Sequence, residues 1–539
     1  MKDLEIPLGK RTRLYRAFEV LPAILSYGMI ILLVVLSIIS PLIAAVYLLL
    51  LIITMVVKAV GIAVDSIIGH RRLVYAQSVD WGARLAELQD PAASYARFGS
   101  RRSRHFADRV HQENLRLMTD QPENFPLPSE IYNAVVIAAY NEPFEVIEPT
   151  VKMLLESTYD ARRMIVVFAY EQRGGADIKE TAQKLRELYG RKFKAFLVVE
   201  HPDGLPDEVI GKGANITYAG YELQKWLETR DIAQDKVIVT TLDCDNKPHK
   251  SYFDYVTYEY IVHEDRRHLS YQPIALYFSN IWDAPALMRL IAIGNSFWTI
   301  VSSTRPHMLR NFAAHSQPMD ALVDMNFWSK RTIVEDGHQY WRSYFYFAGN
   351  YSVMPIYVPV YQDAVMASSF KTTLIAQFKQ LRRWGYGVSD IPYVATHLFT
   401  RQRNVPFFAG LARFIRLVDS HATLATIAIL VAIGGWIPLL ISPESARDIA
   451  AHNLPEVLSY LQRAAMIGIF ITVVLSLRLL PPRPAHYKRT RTLGMVLQWF
   501  LIPVTSIGYS AAASLTAQTH LALGKYLDKF DVTEKTKTK

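Results

Sequence analysis

Tyr132-Asn-Ala-Val-Val-Ile-Ala-Ala139 is an apolar run of strand length, and it ends at the polar turn Tyr140-Asn-Glu-Pro143. A short apolar run bounded by turn residues is typical of a strand that is buried on both faces. Further runs of this kind alternate with helical apolar spacing: the strands are expected at 164–169, 194–199 and 237–242, and the helices at 144–157, 179–188 and 213–226. Short buried strands that alternate with helices predict a mostly parallel sheet with helices on both faces.

Polar residues follow the ends of these predicted strands, which is where ligands bind in such sheets. Thr241-Leu-Asp-Cys-Asp245 ends the fourth strand, and two carboxylates two residues apart suit a divalent cation held against a diphosphate. Gly211-Lys-Gly-Ala-Asn215 begins a predicted helix. At a helix N-terminus, a lysine and glycines that let a ligand approach the backbone closely suit phosphate binding. Asn141-Glu142 and Tyr170-Glu171 are compatible with simple turns or with contacts to a base or ribose.

Two more motifs lie further along the chain. Val334-Glu335-Asp336 offers a carboxylate that can take a proton from an attacking hydroxyl, although a surface acidic pair has the same appearance. Gln380-Leu-Arg-Arg383-Trp384 places an amide, a guanidinium and an indole on one face if it is helical. The flat indole can pack against a sugar, the guanidinium can bind phosphate oxygens, and the amide can hydrogen-bond to hydroxyl groups. The motif therefore suits a sugar acceptor beside a diphosphate.

Long apolar runs indicate a membrane protein, and 51% of the 539 residues are hydrophobic. A crossing needs about 20 apolar residues, so the first run fits two crossings with a bend at Ser40-Pro41. We expect crossings at 20–39, 42–63, 420–442 and 464–480. The segment 493–517 contains Pro503 and Gly508, and it is either re-entrant or a fifth crossing. Residues 401–416 have the pattern of an amphipathic helix on the membrane surface.

The positions of Lys and Arg predict the orientation. Basic residues at 10–16, 71–72 and 483–491 place these flanks in the cytosol by the positive-inside rule. Residues 72–416 are then one cytosolic region of an integral protein of the plasma or inner membrane. The net charge of +10 lies largely beside apolar runs, where it meets anionic headgroups. No basic stripe interleaves with aromatics, so we expect no nucleic-acid partner. The single cysteine, Cys244, excludes an intramolecular disulfide.

Taken together, these motifs resemble those of the family 2 membrane glycosyltransferases, the group that contains cellulose and hyaluronan synthases. In chain order the matching motifs are Tyr140-Asn-Glu-Pro143, Lys212-Gly-Ala-Asn215, Asp243-Cys-Asp245, Glu335-Asp336, Gln380-x-x-Arg383-Trp384 and, like the cellulose synthase gating loop, Phe530-Asp-Val-Thr-Glu-Lys535. The resemblance covers about residues 131–390 closely. It implies a GT-A-like catalytic domain that transfers a sugar with inversion from a nucleoside-diphosphate sugar.

The resemblance also implies a role for each matching residue. The donor would be bound by Tyr140, Asn141, Glu142, Glu171, Lys212, Asn215 and Asp243. Asp245, with Asp243, would hold Mg²⁺ or Mn²⁺, which neutralises the leaving diphosphate. Asp336 would be the general base, next to Glu335. The acceptor and pyrophosphate would be held by Gln380, Arg383 and Trp384, and the bound nucleotide would be covered by Phe530, Thr533 and Lys535.

Two positions depart from the family pattern. Phe168-Ala-Tyr-Glu171 stands where an acidic pair is common, which leaves the base preference open, and Val334 replaces the usual Thr. The resemblance leaves the acceptor open between a growing polysaccharide and a polyprenyl phosphate or other lipid. A catalytically idle nucleotide-sugar-binding scaffold is an alternative of another class. A transporter is disfavoured because Lys58 and Arg478, near the ends of the crossings, are their only Lys, Arg, Asp or Glu residues.

The expected organisation has five parts: a transmembrane hairpin (1–72), a helical linker (73–130), a cytosolic GT-A-like domain (131–396), a membrane region (397–523) and a gating-loop-like tail (524–539). We expect Asp243, Asp245 and Asp336 to converge with Trp384 around one cleft that faces the cytosol.

Overall fold

The computed structural model describes residues 4–98, 106–441 and 449–528, and the chain divides into two compact units. The sheet unit comprises Met1–Ile6, Arg71–Leu276 and Arg305–Asp363. The helical unit comprises Pro7–His70, Tyr277–Thr304 and Ala364–Lys539. The sequence motifs therefore fall into both units.

The strands form one sheet in the sheet unit. They are β1 (Tyr132–Ala139), β2 (Met164–Glu171), β3 (Ala195–His201), β4 (Val237–Asp243), β5 (Lys247–Pro248), β6 (Leu269–Leu276), β7 (His315–Pro318) and β8 (Ser352–Tyr361). Their order across the sheet is β3-β2-β1-β4-β7-β6-β8-β5. The pairs β3–β2, β2–β1, β1–β4 and β6–β8 are parallel, whereas β7 runs antiparallel to both of its neighbours and β5 runs antiparallel to β8.

The α-helices are distributed over both units. They are α1 (Arg13–Ile39), α2 (Pro41–Ser78), α3 (Trp81–Glu87), α4 (Pro91–Phe98), α5 (Phe106–Asp120), α6 (Phe144–Leu155), α7 (Ala176–Tyr189), α8 (Lys212–Glu228), α9 (Tyr252–Val262), α10 (Ala286–Ser303), α11 (Met319–Asp324), α12 (Glu335–Tyr346), α13 (Phe370–Gly385), α14 (Asp390–Leu398), α15 (Phe407–Ile433), α16 (Ile437–Ile441), α17 (Ile449–Leu479), α18 (Thr490–Leu497), α19 (Ile502–Thr505) and α20 (Ala512–Ala522).

The core of the sheet unit lies on both faces of the parallel strands. Alternate side chains of a strand point to opposite faces, and in β1 Val135 and Ile137 pack into one apolar cluster while Ala134 and Val136 pack into another. The first cluster includes side chains of α6, α7 and α9, and the second includes side chains of α8 and α11. A mostly parallel sheet with helices on both faces was predicted, and this prediction is confirmed.

The four predicted strands and the three helices between them are present with ends shifted by a few residues. Three other main strands, β6, β7 and β8, were not predicted. Many large aromatic side chains between residues 277 and 341 lie in the core, whereas Trp298 is 54% exposed. The buried ones include Phe278, Trp282, Phe297, Trp328 and Trp341.

The helical unit contains long apolar helices. In the described part of the chain, four helical stretches are long and apolar enough to cross a membrane: Arg13–Ile39, Pro41–Ser78, Phe407–Ile441 and Thr490–Ala522. The break between the first two falls at Ser40, as predicted. The predicted crossing 464–480 lies in α17, whose shorter apolar stretch is Gly468–Leu479. The predicted surface helix 401–416 is helical from Phe407, where α15 begins. From there α15 continues without a break into the third apolar stretch, so the two are one helix.

Residues 490–522 have an irregular backbone. A 3₁₀ turn at Gln498–Leu501 precedes Pro503, and Ser506–Ala511, which contains Gly508, forms a π-helical turn. Proline removes a helical hydrogen bond and glycine weakens a helix. This stretch is nonetheless long enough to cross, so both expectations for it, a re-entrant segment and a fifth crossing, remain predictions.

Candidate active site

Lys212 and Asp243 form an ion pair at the carboxyl edge of the parallel strands. Lys212 is the first residue of α8 and Asp243 is the last residue of β4. Nζ of Lys212 lies 2.7 Å from Oδ1 of Asp243, with 10% of the lysine side chain and 34% of the aspartate side chain exposed. The same ammonium group donates to the carbonyl oxygen of Ala313 at 3.0 Å. A nearly buried positive charge therefore stands at a strand end and a helix N-terminus, where phosphate binds in proteins.

Glu335 and Asp336 begin α12, which is held against the start of α8. A Cβ atom on Gly213 would lie 2.3 Å from the carbonyl oxygen of Ser329 and 3.0 Å from Cβ of Glu335. The missing side chain of Gly213 therefore lets the two helices approach. This contact brings the acidic pair to the same edge of the sheet as Lys212.

The charges of these residues act on one another. Burial alone lowers the pKa of Lys212, but the charges of nearby acids, Asp243 first among them, raise that pKa above its ordinary value. Burial, and then the charge of Asp336, raise the pKa of Glu335 to about 8. The raised pKa favours the protonated form of Glu335, so Asp243 is the acid that pairs with Lys212.

Asp245 follows Asp243 by two residues and is 9% exposed. The turn that carries it is fixed by two hydrogen bonds. Thr150 Oγ1 donates to the carbonyl oxygen of Cys244 at 2.7 Å, and the backbone N–H of Asn246 donates to the carbonyl oxygen of Asp243 at 3.0 Å. Within the described ranges, no group of three or more His, Cys, Asp or Glu side chains is placed to hold a metal ion. Mg²⁺ is commonly bound by one or two carboxylates together with substrate phosphates. Asp243 and Asp245 fit that mode rather than a complete protein cage.

The loops after β1 and β2 form a second cluster at this edge. The guanidinium of Arg173 lies 4.2 Å from the ring centroid of Tyr140 and is ion-paired with Glu171. Glu142 accepts a hydrogen bond from the backbone N–H of Tyr140 at 2.8 Å, and Asn141 is exposed. The structure therefore groups Tyr140, Glu142 and Glu171, and it adds Arg173, which sequence reasoning missed.

Asn215 joins the ends of two strands. Its Nδ2 donates to the carbonyl oxygens of Ala139 at 3.3 Å and Ala169 at 3.1 Å, and the residue is 1% exposed. These bonds tie α8 to the ends of β1 and β2. Asn215 thus positions the edge on which the residues predicted to bind the donor lie, and its direct contact with a donor stays a prediction.

His315 belongs to none of the sequence motifs, but it supports the carbonyl that Lys212 contacts. Its Nδ1 lies 2.8 Å from the carbonyl oxygen of Phe312, and the indole N–H of Trp328 donates to its Nε2 at 3.2 Å. A carbonyl only accepts and an indole N–H only donates, so the ring is neutral with its proton on Nδ1. Burial lowers the pKa of His315 to about 4, in agreement with this state. The ring fixes residues 312–315, and with them the carbonyl of Ala313.

The remaining predicted site residues lie elsewhere in the chain. Gln380, Arg383 and Trp384 lie on α13 in the helical unit, so the expected helical setting of this motif is present. Trp384 is 36% exposed, and its ring centroid lies 5.8 Å from that of Tyr277. The convergence of Trp384 with the acidic residues stays a prediction. Phe530, Thr533 and Lys535 lie outside the described residues.

Replacing Gly213 by alanine is expected to destabilise the fold by about 1–3 kcal/mol, because the new methyl group would overlap the Ser329 carbonyl and force α8 and α12 apart. The measurement is chemical or thermal unfolding of the detergent-solubilised protein. Gly337→Ala, where a Cβ meets no atom within 4 Å, is the matched control. It should be neutral or stabilising because alanine favours a helix. Equal stability of the two variants would contradict this packing.

Comparisons with known proteins give remote likenesses. No protein-family model and no curated protein matches the chain. A solved mannosyltransferase from Pyrobaculum calidifontis, in complex with GDP-Man and Mn²⁺, is similar at 14% identity over 83% of this chain and 99% of that chain, with a TM-score of 0.38. TarS 1–349 from S. aureus is similar at 11% identity, over 65% of this chain and 91% of that chain, with a TM-score of 0.32.

A third similar structure is glucosyl-3-phosphoglycerate synthase from Mycobacterium tuberculosis, in complex with Mn²⁺, uridine-diphosphate and phosphoglyceric acid. The identity is 14%, the match covers 52% of this chain and 80% of that chain, and the TM-score is 0.29. At these scores the likenesses alone assign no activity to the chain.

Proposed function

We propose that the chain is an inverting membrane glycosyltransferase of family 2, which transfers a sugar from a nucleoside-diphosphate sugar to a glycan or lipid-linked acceptor. The observation that carries this proposal is the ion pair of Lys212 with Asp243 beside the acidic start of α12. The pair lies at the carboxyl edge of the sheet, where parallel α/β sheets bind ligands. The order of the sequence motifs supports the same activity.

In the proposed reaction the acceptor hydroxyl oxygen attacks the anomeric carbon of the donor. The new glycosidic bond forms while the bond from that carbon to the diphosphate oxygen breaks, and the nucleoside diphosphate leaves with the electron pair. Asp336 takes the proton of the attacking hydroxyl. The ammonium of Lys212 stabilises the negative charge that grows on the leaving diphosphate.

Glu335 favours the departure of the diphosphate by remaining neutral. Its pKa is raised by burial and by the charge of Asp336. An ionised Glu335 would add a second negative charge near the leaving group and would compete for Lys212. Its protonated form leaves the lysine available to the diphosphate. We therefore assign Glu335 to the electrostatics of the site and Asp336 to proton transfer.

Asp243 and Asp245 would hold Mg²⁺ or Mn²⁺, and the bound cation would neutralise part of the diphosphate charge. One oxygen of Asp243 is hydrogen-bonded to Lys212. The carboxylate thus fixes the lysine, and we assign the same carboxylate to the bound cation. The remaining ligands would come from the diphosphate and water, because two carboxylates alone do not complete the coordination.

The nucleoside is assigned to the cluster of Tyr140, Glu142, Glu171 and Arg173. An aromatic ring next to a guanidinium offers a stacking surface, and Glu171 offers hydrogen-bond acceptors for ribose or base. Arg173 is paired with Glu171, and this pairing removes the free acidic group that the family pattern supplies after the second strand. The base preference is therefore expected to depend on Arg173 as well as on Glu171. Asn141 is assigned to the same pocket.

Removal of divalent metal is expected to stop transfer. Excess chelator should reduce turnover to background, and added Mg²⁺ or Mn²⁺ should restore it. Asp245→Asn should raise the metal concentration needed for half-maximal rate by about tenfold or more, because a carboxylate ligand is lost. The exposed Asp265→Asn, which makes the same change at an aspartate outside the site, is the control. Full activity in excess chelator would remove Asp245 from its proposed role.

The acceptor is assigned to Gln380, Arg383 and Trp384, with Phe530, Thr533 and Lys535 closing over the nucleotide. The aromatic pair of Trp384 and Tyr277 supports a sugar-binding surface in the helical unit. A polysaccharide acceptor is proposed first.

The test incubates the purified protein with a panel of nucleotide sugars, with and without polyprenyl phosphate, and measures diphosphate release and product size. Long chains formed without added lipid support a polymerase, and one addition that requires the lipid supports the carrier-loading reaction.

A further inference from the structure

Two arginines meet at a buried turn of the helical unit. Arg289, on α10, donates from Nη1 to the carbonyl oxygen of Ala284 at 2.7 Å and from Nε to Oε1 of Gln498 at 2.6 Å. Arg491, on α18, donates from Nη2 to the carbonyl oxygens of Trp282 at 2.7 Å and Ala284 at 3.4 Å. Both guanidinium groups thus share the carbonyl of Ala284.

Neutral oxygens accept all of these hydrogen bonds. The acid of the same turn, Asp283, accepts from the hydroxyl of Tyr487 at 2.5 Å. Arg289 is 4% exposed, and burial, together with the charge of Arg491, lowers its pKa to about 10. A low-polarity site strongly disfavours neighbouring cations that form no ion pair with an acid, and Asp283 is engaged by Tyr487 instead. The turn therefore holds positive charge that a bound anion would stabilise.

A buried amide next to the arginines has hydrogen-bond capacity left over. Gln498 is 3% exposed and gives its Oε1 to Arg289, while its Nε2 has no hydrogen-bond partner among the described residues. Buried polar groups in native proteins are nearly always satisfied. This amide N–H₂ lies beside Arg289, whose guanidinium shares the Ala284 carbonyl with that of Arg491. Several donors are therefore grouped, which is the arrangement that phosphate oxygens require.

The surface around this cluster is apolar. Three side chains on and after α18 are largely exposed: Leu493 at 59%, Leu497 at 51% and Phe500 at 82%. They belong to Thr490–Ala522, one of the stretches able to cross a membrane. Lys488 and Arg489 precede them and are exposed. Basic residues followed by exposed apolar residues are typical of the boundary between headgroups and acyl chains.

We propose that Arg289, Arg491 and Gln498 bind the phosphate group of a membrane lipid. Guanidinium groups match phosphate oxygens with paired hydrogen bonds, and basic pockets beside membrane helices bind lipid headgroups. The flanking leucines and Phe500 would contact the acyl chains. Free phosphate shares the headgroup chemistry, but it would leave the apolar surface uncovered. This site does not depend on sugar transfer.

The test measures lipids that remain bound to the full-length protein. The protein is placed in phosphatidylcholine nanodiscs with or without phosphatidylglycerol, extracted with mild detergent, and analysed by native mass spectrometry without nucleotide sugar. The wild type should retain phosphatidylglycerol in preference to phosphatidylcholine. Arg491→Gln and Arg289→Gln should each lower this retention by about tenfold, since hydrogen bonds to a charged group are lost. Arg489→Gln, an exposed neighbour, should change it by less than about twofold.

Additional competition experiments distinguish a lipid phosphate from free phosphate, and a second variant controls for misfolding. Polyprenyl phosphate added to the nanodiscs should compete with phosphatidylglycerol, whereas inorganic phosphate should not. Displacement of the lipid by inorganic phosphate at low concentration would overturn the lipid assignment, as would equal retention by all variants. If Arg289→Gln does not fold, the half-buried Arg491→Gln alone decides the result. Retention is measured without a donor sugar. A failure to retain the lipid would therefore leave the proposed glycosyltransferase activity standing.

Discussion

Asp336→Asn is expected to lower the turnover of sugar transfer by roughly 10²–10⁴-fold, the usual contribution of a general base. The amide that replaces the carboxylate cannot take a proton from the acceptor hydroxyl. Affinity for the nucleotide sugar should stay within about twofold, because the lost interaction belongs to the transition state. The measurements are turnover by release of nucleoside diphosphate and donor binding by calorimetry. Both use the same purified protein.

Glu335→Gln is the matched comparison for Asp336→Asn. Glutamine resembles the protonated acid, and the raised pKa of Glu335 already favours that form at neutral pH. The fall in turnover at neutral pH should therefore be less than about tenfold. The exposed Glu264→Gln should behave like the wild type. Normal turnover by Asp336→Asn, or a larger loss in Glu335→Gln than in Asp336→Asn, would show that the base is assigned to the wrong residue.

Lys212→Met should affect both stability and activity. The ammonium of Lys212 is the partner of Asp243 and also opposes the rise of the pKa of Glu335. Breaking a buried ion pair by removing one partner costs about 3–5 kcal/mol. The lower end is expected here, since 34% of the Asp243 side chain is exposed to solvent. Turnover should fall by at least about 10²-fold, as for the loss of a group that stabilises the leaving charge.

Two further variants isolate the role of Lys212. Lys225→Met makes the same change on the same helix at a lysine with 69% of its side chain exposed, and no loss of stability or activity is expected. The double variant Lys212→Met with Asp243→Asn should recover part of the stability, because no unpaired charge remains, but no activity. If Lys212→Met bound donor and turned over like Lys225→Met, the lysine would not contact the diphosphate. Unfolding curves measure the stability of each variant, and steady-state kinetics measure its activity.

The part of the fold that follows simple periodicity could be predicted from the sequence. The strands β1 to β4 are apolar runs between clear turns, and both faces of β1 and β2 are buried. The strands β6 and β8 contain prolines, at 273 in β6 and at 355 and 359 in β8, which are unusual inside sheets. The strand β7 has only four residues, three of them polar. Tertiary pairing forms these strands against their local preference.

The candidate site was predictable where strand ends carry charged residues, and unpredictable where contacts join distant segments. Asp243 and Lys212 follow from the rule that parallel strands place their carboxyl ends together. The support of Lys212 by the Ala313 carbonyl spans 101 positions in the chain, and the ring of His315 orders that segment through Trp328. Arg173 gave no signal because a single arginine in a turn is common. Only the folded chain shows that it faces Tyr140.

The most direct test of the central claim is a structure of the protein with a nucleoside diphosphate and Mn²⁺, determined by electron cryomicroscopy in nanodiscs. The prediction is that the diphosphate lies within hydrogen-bond distance of Lys212 Nζ, with the metal bound by the carboxylates of Asp243 and Asp245 and with Asp336 at the open side of the anomeric position. A nucleotide bound away from these side chains, or a metal held by other residues, would contradict the assignment of this sheet edge as the site of sugar transfer.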